Sequence, residues 1–358
     1  MKQNMKYKIS IAVLFFFSSI ANIFAQQEWF KDIKLSGYVI GQYQYTSKTD
    51  ATPKDNFSTR LVRLSIDGKL LPDFAYRVQA QLNGTPGSSS GPRIVDAFIE
   101  WQRYGFAKVK VGQFKRAFTF ENPMNPIDQG FISYAQVISK LSGFEDRVGE
   151  HSSNGRDIGV QLQGDLLPNS KGRHLLHYQI AIYNGQGTNM KDVNNSKDII
   201  GGMWVCPLEG LRIGAFGWTG SYAHKNGTDM QNVARNRYAF SGEYKKNDWT
   251  LRTEYIHSQG KKFASNNSSD INIINNDKAD GWYIAGIAPI ITNTVHLKAR
   301  YDVYRDEADW NSSKNMYEVG LDYIYKKKVK AQVHYVRVNE RSKHQNYNMV
   351  DCQLSMRF

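Results

Sequence analysis

Four cations crowd the stretch "FAKVKVGQFKR": Lys108, Lys110, Lys115 and Arg116. In an extended chain, residues two apart share a face, so Lys108 and Lys110 form one charged step that leads to Lys115 and Arg116. Ammonium groups supply point charges, and a guanidinium fork matches a phosphate or carboxylate with two parallel hydrogen bonds. Cations spaced in this way suit weak, reversible anion binding. Arg63, Arg300 and Arg147 are further candidates from other parts of the chain. Each has a plainer alternative, which is pairing with a neighbouring carboxylate to hold the chain in place.

Other chemistries lack their residues. The eight histidines (His151, His174, His177, His224, His257, His296, His334 and His344) are scattered, and His174 and His177 fall on opposite faces of one extended run. There is no G-x-S-x-G turn and no H-E-x-x-H pair, so no nucleophile and base stand at a recognisable spacing. We assign no catalytic residue, no metal ligand and no cofactor. A pI of about 9.4 raises nucleic acid as a partner, but no basic helix, RNA-binding strand motif or zinc spacing accompanies it. Nucleic-acid binding is therefore not expected.

The elements that must position these cations are strands. Alternating polar and apolar residues recur in sixteen runs, near 33–46, 57–70, 74–84, 93–103, 106–114, 156–166, 173–184, 198–206, 210–223, 233–246, 248–259, 280–290, 293–305, 315–326, 328–339 and 345–358. Most are long enough to cross a bilayer when tilted. Short connectors such as "RYG" and "KKND" alternate with long polar ones such as "HKNGTDMQN" and "KKFASNNSSDINIINNDKAD". The longest runs from Lys115 to Gly155. Sorting of this kind is expected of an up-and-down barrel crossing a membrane, and a soluble sandwich has no reason for it.

The faces agree. In "FAYRVQAQLNG", Tyr76, Val78, Ala80 and Leu82 oppose Arg77, Gln79, Gln81 and Asn83; in "HLKARYDVY", Leu297, Ala299, Tyr301 and Val303 oppose Lys298, Arg300 and Asp302. A charge facing lipid costs about 2–4 kcal/mol at the midplane, so the polar face is expected to line the interior. Sixteen strands leave room for an aqueous channel. Trp101, Trp204, Trp249 and Trp282, near strand ends, suit the aromatic girdles at the two interfaces with outer-membrane lipid.

The ends fit this reading. Residues 1–25 carry Lys2, Lys6 and Lys8, then an apolar stretch and Ala25, the pattern of a cleaved signal peptide. An uncleaved anchor helix is the rival, disfavoured because Ser18, Ser19 and Asn22 dilute a stretch already short for a bilayer. Residues 26–358 then form the barrel domain. The tail "VDCQLSMRF" keeps its alternation to Phe358 and is expected to close the last strand at the periplasmic rim. Cys206 and Cys352 fall on opposite sides of such a barrel and are not expected to pair.

The stretches "NFSTRLVRLSIDGKLLPDFAYRVQAQL", "VDAFIEW", "KVKVGQFKRAFTFE", "GRDIGVQLQGDL" and "IYNGQG" resemble the phosphate-selective porins O and P, over about residues 35–358. The most specific is "GQFKRAFTFE", in which Ala117 stands where the family usually has proline. The resemblance implies a sixteen-stranded antiparallel outer-membrane barrel of a Gram-negative bacterium, commonly a homotrimer, with a third external loop folded inward. It also implies small anions such as phosphate or polyphosphate as solutes. The terminal aromatic strand resembles the signal read by the barrel-assembly machinery.

The charges do not by themselves choose the solute. The net charge is +13, or +10 once Lys2, Lys6 and Lys8 leave with the signal peptide. By strand parity, Arg63, Arg77, Lys108, Lys110, Arg212, Arg252, Lys298, Arg300, Lys330 and Arg357 face inward. So do Asp67, Asp96, Glu100, Asp157, Asp165, Glu254, Asp302, Glu318, Asp322 and Asp351. An anion channel and an unselective one both remain open on this balance, as does a surface adhesin with a non-conducting lumen.

Overall fold

The computed structural model describes residues 30–84, 91–144, 154–226, 229–267 and 270–358. The segment read as a signal peptide and the candidate Arg147 lie outside them. The strands are β1 Phe30–Thr46, β2 Asp55–Leu70, β3 Phe74–Gln81, β4 Arg93–Tyr104, β5 Ala107–Lys115, β6 Arg156–Pro168, β7 His174–Tyr183 and β8 Asp198–Val205. They continue with β9 Leu211–Asn226, β10 Asp229–Lys246, β11 Trp249–Asn267, β12 Asp270–Ile291, β13 Val295–Arg305, β14 Ser313–Tyr325, β15 Val329–Glu340 and β16 Gln345–Arg357. Each pairs antiparallel with its sequence neighbours, and β1 pairs with β16 to close the barrel.

The closing seam reaches the last residue. The Phe358 N–H donates to the Gly37 carbonyl and the Gly37 N–H to the Phe358 carbonyl, each at 3.1 Å. A side chain at position 37 would meet the Phe358 ring at 2.5 Å, so only glycine admits the ring there. At the same rim, Asn247–Asp248 and Lys326–Lys327 take positive φ (50°, 66° and 49°, 58°). Asn247–Asp248 is the tight two-residue turn whose twist matches the flanking strands, and Lys326–Lys327 open a three-residue one.

At the other rim, two of the long polar connectors are not loops. β9 and β10 pair up to Asn226↔Asp229, and β11 and β12 up to Asn267↔Asp270. The described residues of "HKNGTDMQN" and "KKFASNNSSDINIINNDKAD" therefore extend the paired strands. Asn and Asp are poor strand formers, but ladder hydrogen bonds from an established pair carry the strands onward.

Alternation sorts the wall as expected on most strands. Val78, Val111, Leu251, Leu297, Val319 and Leu354 are exposed on the lipid side, whereas Arg63, Gln79, Glu254, Lys298, Arg300, Glu318 and Gln353 are buried inside. The interior is not uniformly polar, however. Ala181, Tyr183, Ile200, Phe216, Trp218, Ala239, Ile256, Ala279, Tyr283 and Ala285 join one apolar cluster with Phe118, Phe120, Phe131, Val137, Ile138, Leu141 and Phe144. Those last seven belong to the segment after β5, which includes a short helix, α1 (Gln136–Leu141). The segment thus folds against the inner face of β7–β12, each buried side chain contributing about 1.5–3 kcal/mol. Trp204, expected in a girdle, instead packs edge-on against Phe120 at 5.5 Å within this cluster. Cys206 and Cys352 are both free.

Candidate functional site

The inward segment carries apolar side chains on one side and hands its main chain to the barrel wall on the other. Four groups of three share one arrangement, in which a wall carboxylate orients a cation that donates to a loop carbonyl. Glu318 pairs with Arg300 at 2.6 Å, and Arg300 Nη1 donates to Ser133 O at 2.9 Å. Glu243 pairs with Arg252 at 2.6 Å, and Arg252 Nη1 donates to Gln129 O at 3.0 Å. Asp322 pairs with Lys298, which donates to Gly130 O. Asp157 pairs with Arg116 at 2.7 Å, and Arg116 Nη1 donates to Gly143 O at 3.1 Å.

Carboxylates take the opposite polarity. Glu254 accepts from the N–H groups of Phe120 and Glu121 at 2.8 Å each and from Tyr283 Oη at 2.9 Å; Asp302 accepts from the Gln136 N–H at 2.8 Å. Arg60 donates to Ile132 O, and Lys330 to Ile127 O at 3.0 Å. Charge-assisted bonds of this kind are roughly twice as strong as neutral ones, and an unmet carbonyl in the interior would cost about 1–3 kcal/mol.

With the segment in place, two of the cavities among the described residues are lined largely by cations. The inner one, ~190 Å³, is lined by five cations (Arg77, Lys110, Lys115, Arg116 and Arg156) and by a single carboxylate, Asp96, among the described residues. The outer one, ~690 Å³, is lined by six cations (Lys140, Arg235, Lys262, Arg300, Lys314 and Lys343) against Asp277, Asp306 and Glu340. Some of the carboxylates that balance the parity count pair with these cations without lining the cavities: Asp67 on Arg77 at 2.5 Å, Glu100 on Lys110 at 3.4 Å, Asp157 on Arg116.

Near the inner cavity, Lys115 and Arg63 have no ion pair with a carboxylate among the described residues. Lys115 Nζ is buried without a hydrogen-bond partner and lies over the rings of Phe144 at 4.3 Å and Tyr134 at 5.3 Å. Burial raises the pKa of the Tyr134 hydroxyl, which stays neutral and donates to Met124 O at 2.5 Å. Lys115 Nζ therefore lies against π faces, with the charges of Asp96, Arg156, Arg63 and Arg116 acting on it from farther away. Arg63, 1% exposed, has only Gln81 Oε1 at 3.4 Å and the face of Tyr38 at 6.0 Å, with Nε and Nη1 unmet. Arg156 joins them. It stands opposite Lys115 in the β5–β6 register and is held by both oxygens of Asp96 at 2.6 and 3.0 Å. Like charges directly opposite are unfavourable, and Asp96, paired with Arg156 and facing Lys115 from farther off, offsets part of that.

The sequence-derived candidates thus separate. Lys115 and Arg63 meet at this cluster, and Lys110 lines the same cavity between the rings of Phe98 and Phe114. Lys108 pairs with Asp165 at 3.0 Å beside the His177–Trp204 stack. Arg116 and Arg300 hold the loop. Arg156 and Arg60 were not among the candidates. Strand parity puts Arg156 on the lipid side with Ile158 and Val160, but the chain turns through Asn154 and Gly155 at φ 50° and 67° just before it. Alternation does not govern a strand's first residue after such a turn.

Comparison with known proteins gives one family. The profile of the phosphate-selective porins O and P matches residues 33–358. A search of curated proteins gives no match. The anion-selective porin from Comamonas acidovorans is 13% identical, with 91% of this chain and 99% of that chain covered at a TM-score of 0.66. Salmonella typhi OmpF, in complex with daunomycin, is 12% identical over 92% of this chain and 98% of that one, with a TM-score of 0.62. In-vitro folded OmpT of Vibrio cholerae, in a trimer form, is 11% identical over 91% and 99%, with a TM-score of 0.57. At these identities the likeness is one of fold. The family match reaches almost the whole barrel, and with it the chain belongs to the phosphate-selective porin O and P family and is an outer-membrane porin.

Proposed function

We propose that the barrel is a passive, water-filled pore that favours small anions, phosphate and polyphosphate among them, and that Lys115 and Arg63 with Arg156 make the selective point. The observation that carries this is the inner cavity: five cations face the space against one lining carboxylate, and Lys115 among them is paired with none, as is Arg63 nearby. Rings of Arg or Lys make anion pores. A buried cation left without a counter-ion is a place where a passing anion replaces missing partners. Lys110 and Arg77 feed that point from one side, and the outer cavity, with Arg300 in its wall, from the other. The reading needs no catalytic residue and no cofactor. A homotrimer, the form given for the OmpT neighbour, a cleaved signal peptide at residues 1–25 and recognition of the Phe358 strand by the assembly machinery accompany it.

The test is the reversal potential of the purified protein in a planar bilayer across a salt gradient, with titration of chloride current by phosphate. Anion preference with phosphate block is expected. A cation-preferring or unselective pore would mean that the paired charges screen the whole lumen, and no conductance would favour the adhesin.

A further inference from the structure

Outside the lumen, the rim of long connectors carries a polar pocket of ~640 Å³ between the β13–β14 and β15–β16 connections. Four amides line it, Asn311, Asn339, Gln345 and Asn346, together with Arg341 and His344. Its carboxylate, Glu340, is buried and already paired with Lys343 at 2.8 Å. Arg341 has no ion pair among the described residues and lies over the Trp310 ring at 5.7 Å. Arg305 lies over the same ring at 5.1 Å and is itself held by Asp280 at 2.7 and 2.5 Å. A neutralised cation thus fixes Trp310, and the ring carries a second cation whose charge is not met. We propose that this pocket seats the headgroup of a phosphorylated glycolipid from the outer leaflet, with the Arg341 guanidinium on the phosphate and the amides on sugar hydroxyls.

Position chooses the source of the phosphate. Asn339 and Asn346 pair in register and alternate with Val338, Glu340 and Tyr347, which are buried on the inner side, so both amides face away from the lumen. Below Asn339 on the same face of β15 come Arg337, Tyr335 and Val333, all exposed. Tyr335 is four residues on, roughly 13 Å along the strand. Tyr317 stands opposite Arg337 and meets Tyr301 at 4.9 Å, and Tyr301 meets Trp282 edge-on at 5.2 Å. Such a row of amphipathic rings marks the headgroup level. Val319, Leu321 and Val333 continue the exposed face beyond it, where acyl chains lie. A lipid seated in the pocket has a second cation, Arg337, beneath its head and an apolar wall for its chains. The amides supply what the sugar needs, since a guanidinium fork suits a phosphate and an amide both donates and accepts. Gln345 Oε1 is buried without a partner, an acceptor that a sugar hydroxyl satisfies. A free phosphate would use neither the wall nor that acceptor.

The site does not depend on what the pore conducts, and its test needs no conductance. The purified protein and each variant, checked for a heat-modifiable folded band, are titrated in detergent with lipid A, a diphosphorylated glucosamine lipid, and separately with phosphatidylglycerol. Bound lipid is counted by native mass spectrometry. Arg341→Gln and Arg337→Gln should each weaken lipid A binding about fivefold, and the two together about 25-fold. Trp310→Ala leaves every charge in place and should weaken it as much as Arg341→Gln. Arg103→Gln is the control and should change nothing, because Arg103 lies over Tyr104 at 5.7 Å on the opposite rim. Phosphatidylglycerol, an anion without a phosphorylated sugar, should bind less well, and inorganic phosphate in excess should not displace lipid A. Binding unchanged in the double variant, or lost equally in Arg103→Gln, would overturn the site. Equal binding of phosphatidylglycerol would refute recognition of the sugar. Displacement by inorganic phosphate would overturn the lipid as occupant and make the pocket a free-anion site.

Discussion

Replacing Lys115 by Gln removes the one buried ammonium that has neither a carboxylate nor a hydrogen-bond partner among the described residues. An anion in contact with it at about 4 Å gains about 1 kcal/mol at the dielectric of water and about 4 kcal/mol at an effective value near 20. Lys115 lines the cavity and Arg156 remains beside it to hold the anion, so the lower figure is taken. A loss of about 1 kcal/mol is close to fivefold in equilibrium terms. A dianion doubles the Coulomb energy, so the loss is about 2 kcal/mol and about 25-fold. The variant should therefore lower the chloride-over-potassium preference, read from the reversal potential, about fivefold, and weaken phosphate block about 25-fold. Lys108→Gln is the control, because Lys108 already faces Asp165 at 3.0 Å and such half-exposed pairs contribute about 0–1 kcal/mol. Equal losses from both variants, or phosphate block that weakens no more than chloride preference, would refute contact binding at Lys115.

Arg63→Gln should reduce anion preference in the same assay while leaving loop cleavage by trypsin unchanged, since Arg63 holds no loop atom that the structure describes. Gly143→Ala should loosen the loop: the new methyl would meet Arg116 Nη1 at 2.0 Å, on a backbone already at φ 79°. Its signature is a noisier channel and faster cleavage at Lys140. Trp218→Ala opens the cluster where Phe118 packs at 5.5 Å and Arg237 lies over the ring at 4.1 Å. A cost of about 3–5 kcal/mol is expected, visible as a lower temperature for the gel shift of the folded band. Deleting Phe358 removes the two seam hydrogen bonds to Gly37. At about 0.5–1.5 kcal/mol each, a barrel that unfolds earlier in denaturant is expected, with conductance per channel unchanged.

The barrel was legible because alternation is a two-residue signal that needs no knowledge of partners. All sixteen runs found in this way are strands. What escaped had a tertiary cause each time. "KKFASNNSSDINIINNDKAD" reads as loop by composition, but its described residues are strand because its two halves pair with one another. Ala239, Ile256 and Ala279 face inward although apolar, because a folded segment covers them and water does not reach them. Parity treats every inward position as wet and cannot see such a lining. Lys115 and Arg63 were found as cations, but their isolation was not legible, since which carboxylate meets which cation depends on register between strands. Arg300 and Arg116 were candidates either to bind the solute or to pair with a carboxylate and hold the loop; each pairs with a carboxylate, Glu318 and Asp157, and donates to a loop carbonyl, contacts that sequence alone does not show.

The seam between β1 and β16 has a consequence in time. Gln44 donates to Asp351 at 2.8 Å, a bond between residues 307 positions apart in the chain. Every other strand pair can form from neighbours in sequence, but this one waits until the last strand has been made and delivered. Until then the sheet has two open edges, each a row of unpaired main-chain groups that invites pairing with another chain. Contacts so distant are also the slowest to form. The chain must therefore cross the envelope unclosed and in need of protection, and only the arrival of its final residues turns a ribbon at risk of aggregation into a ring.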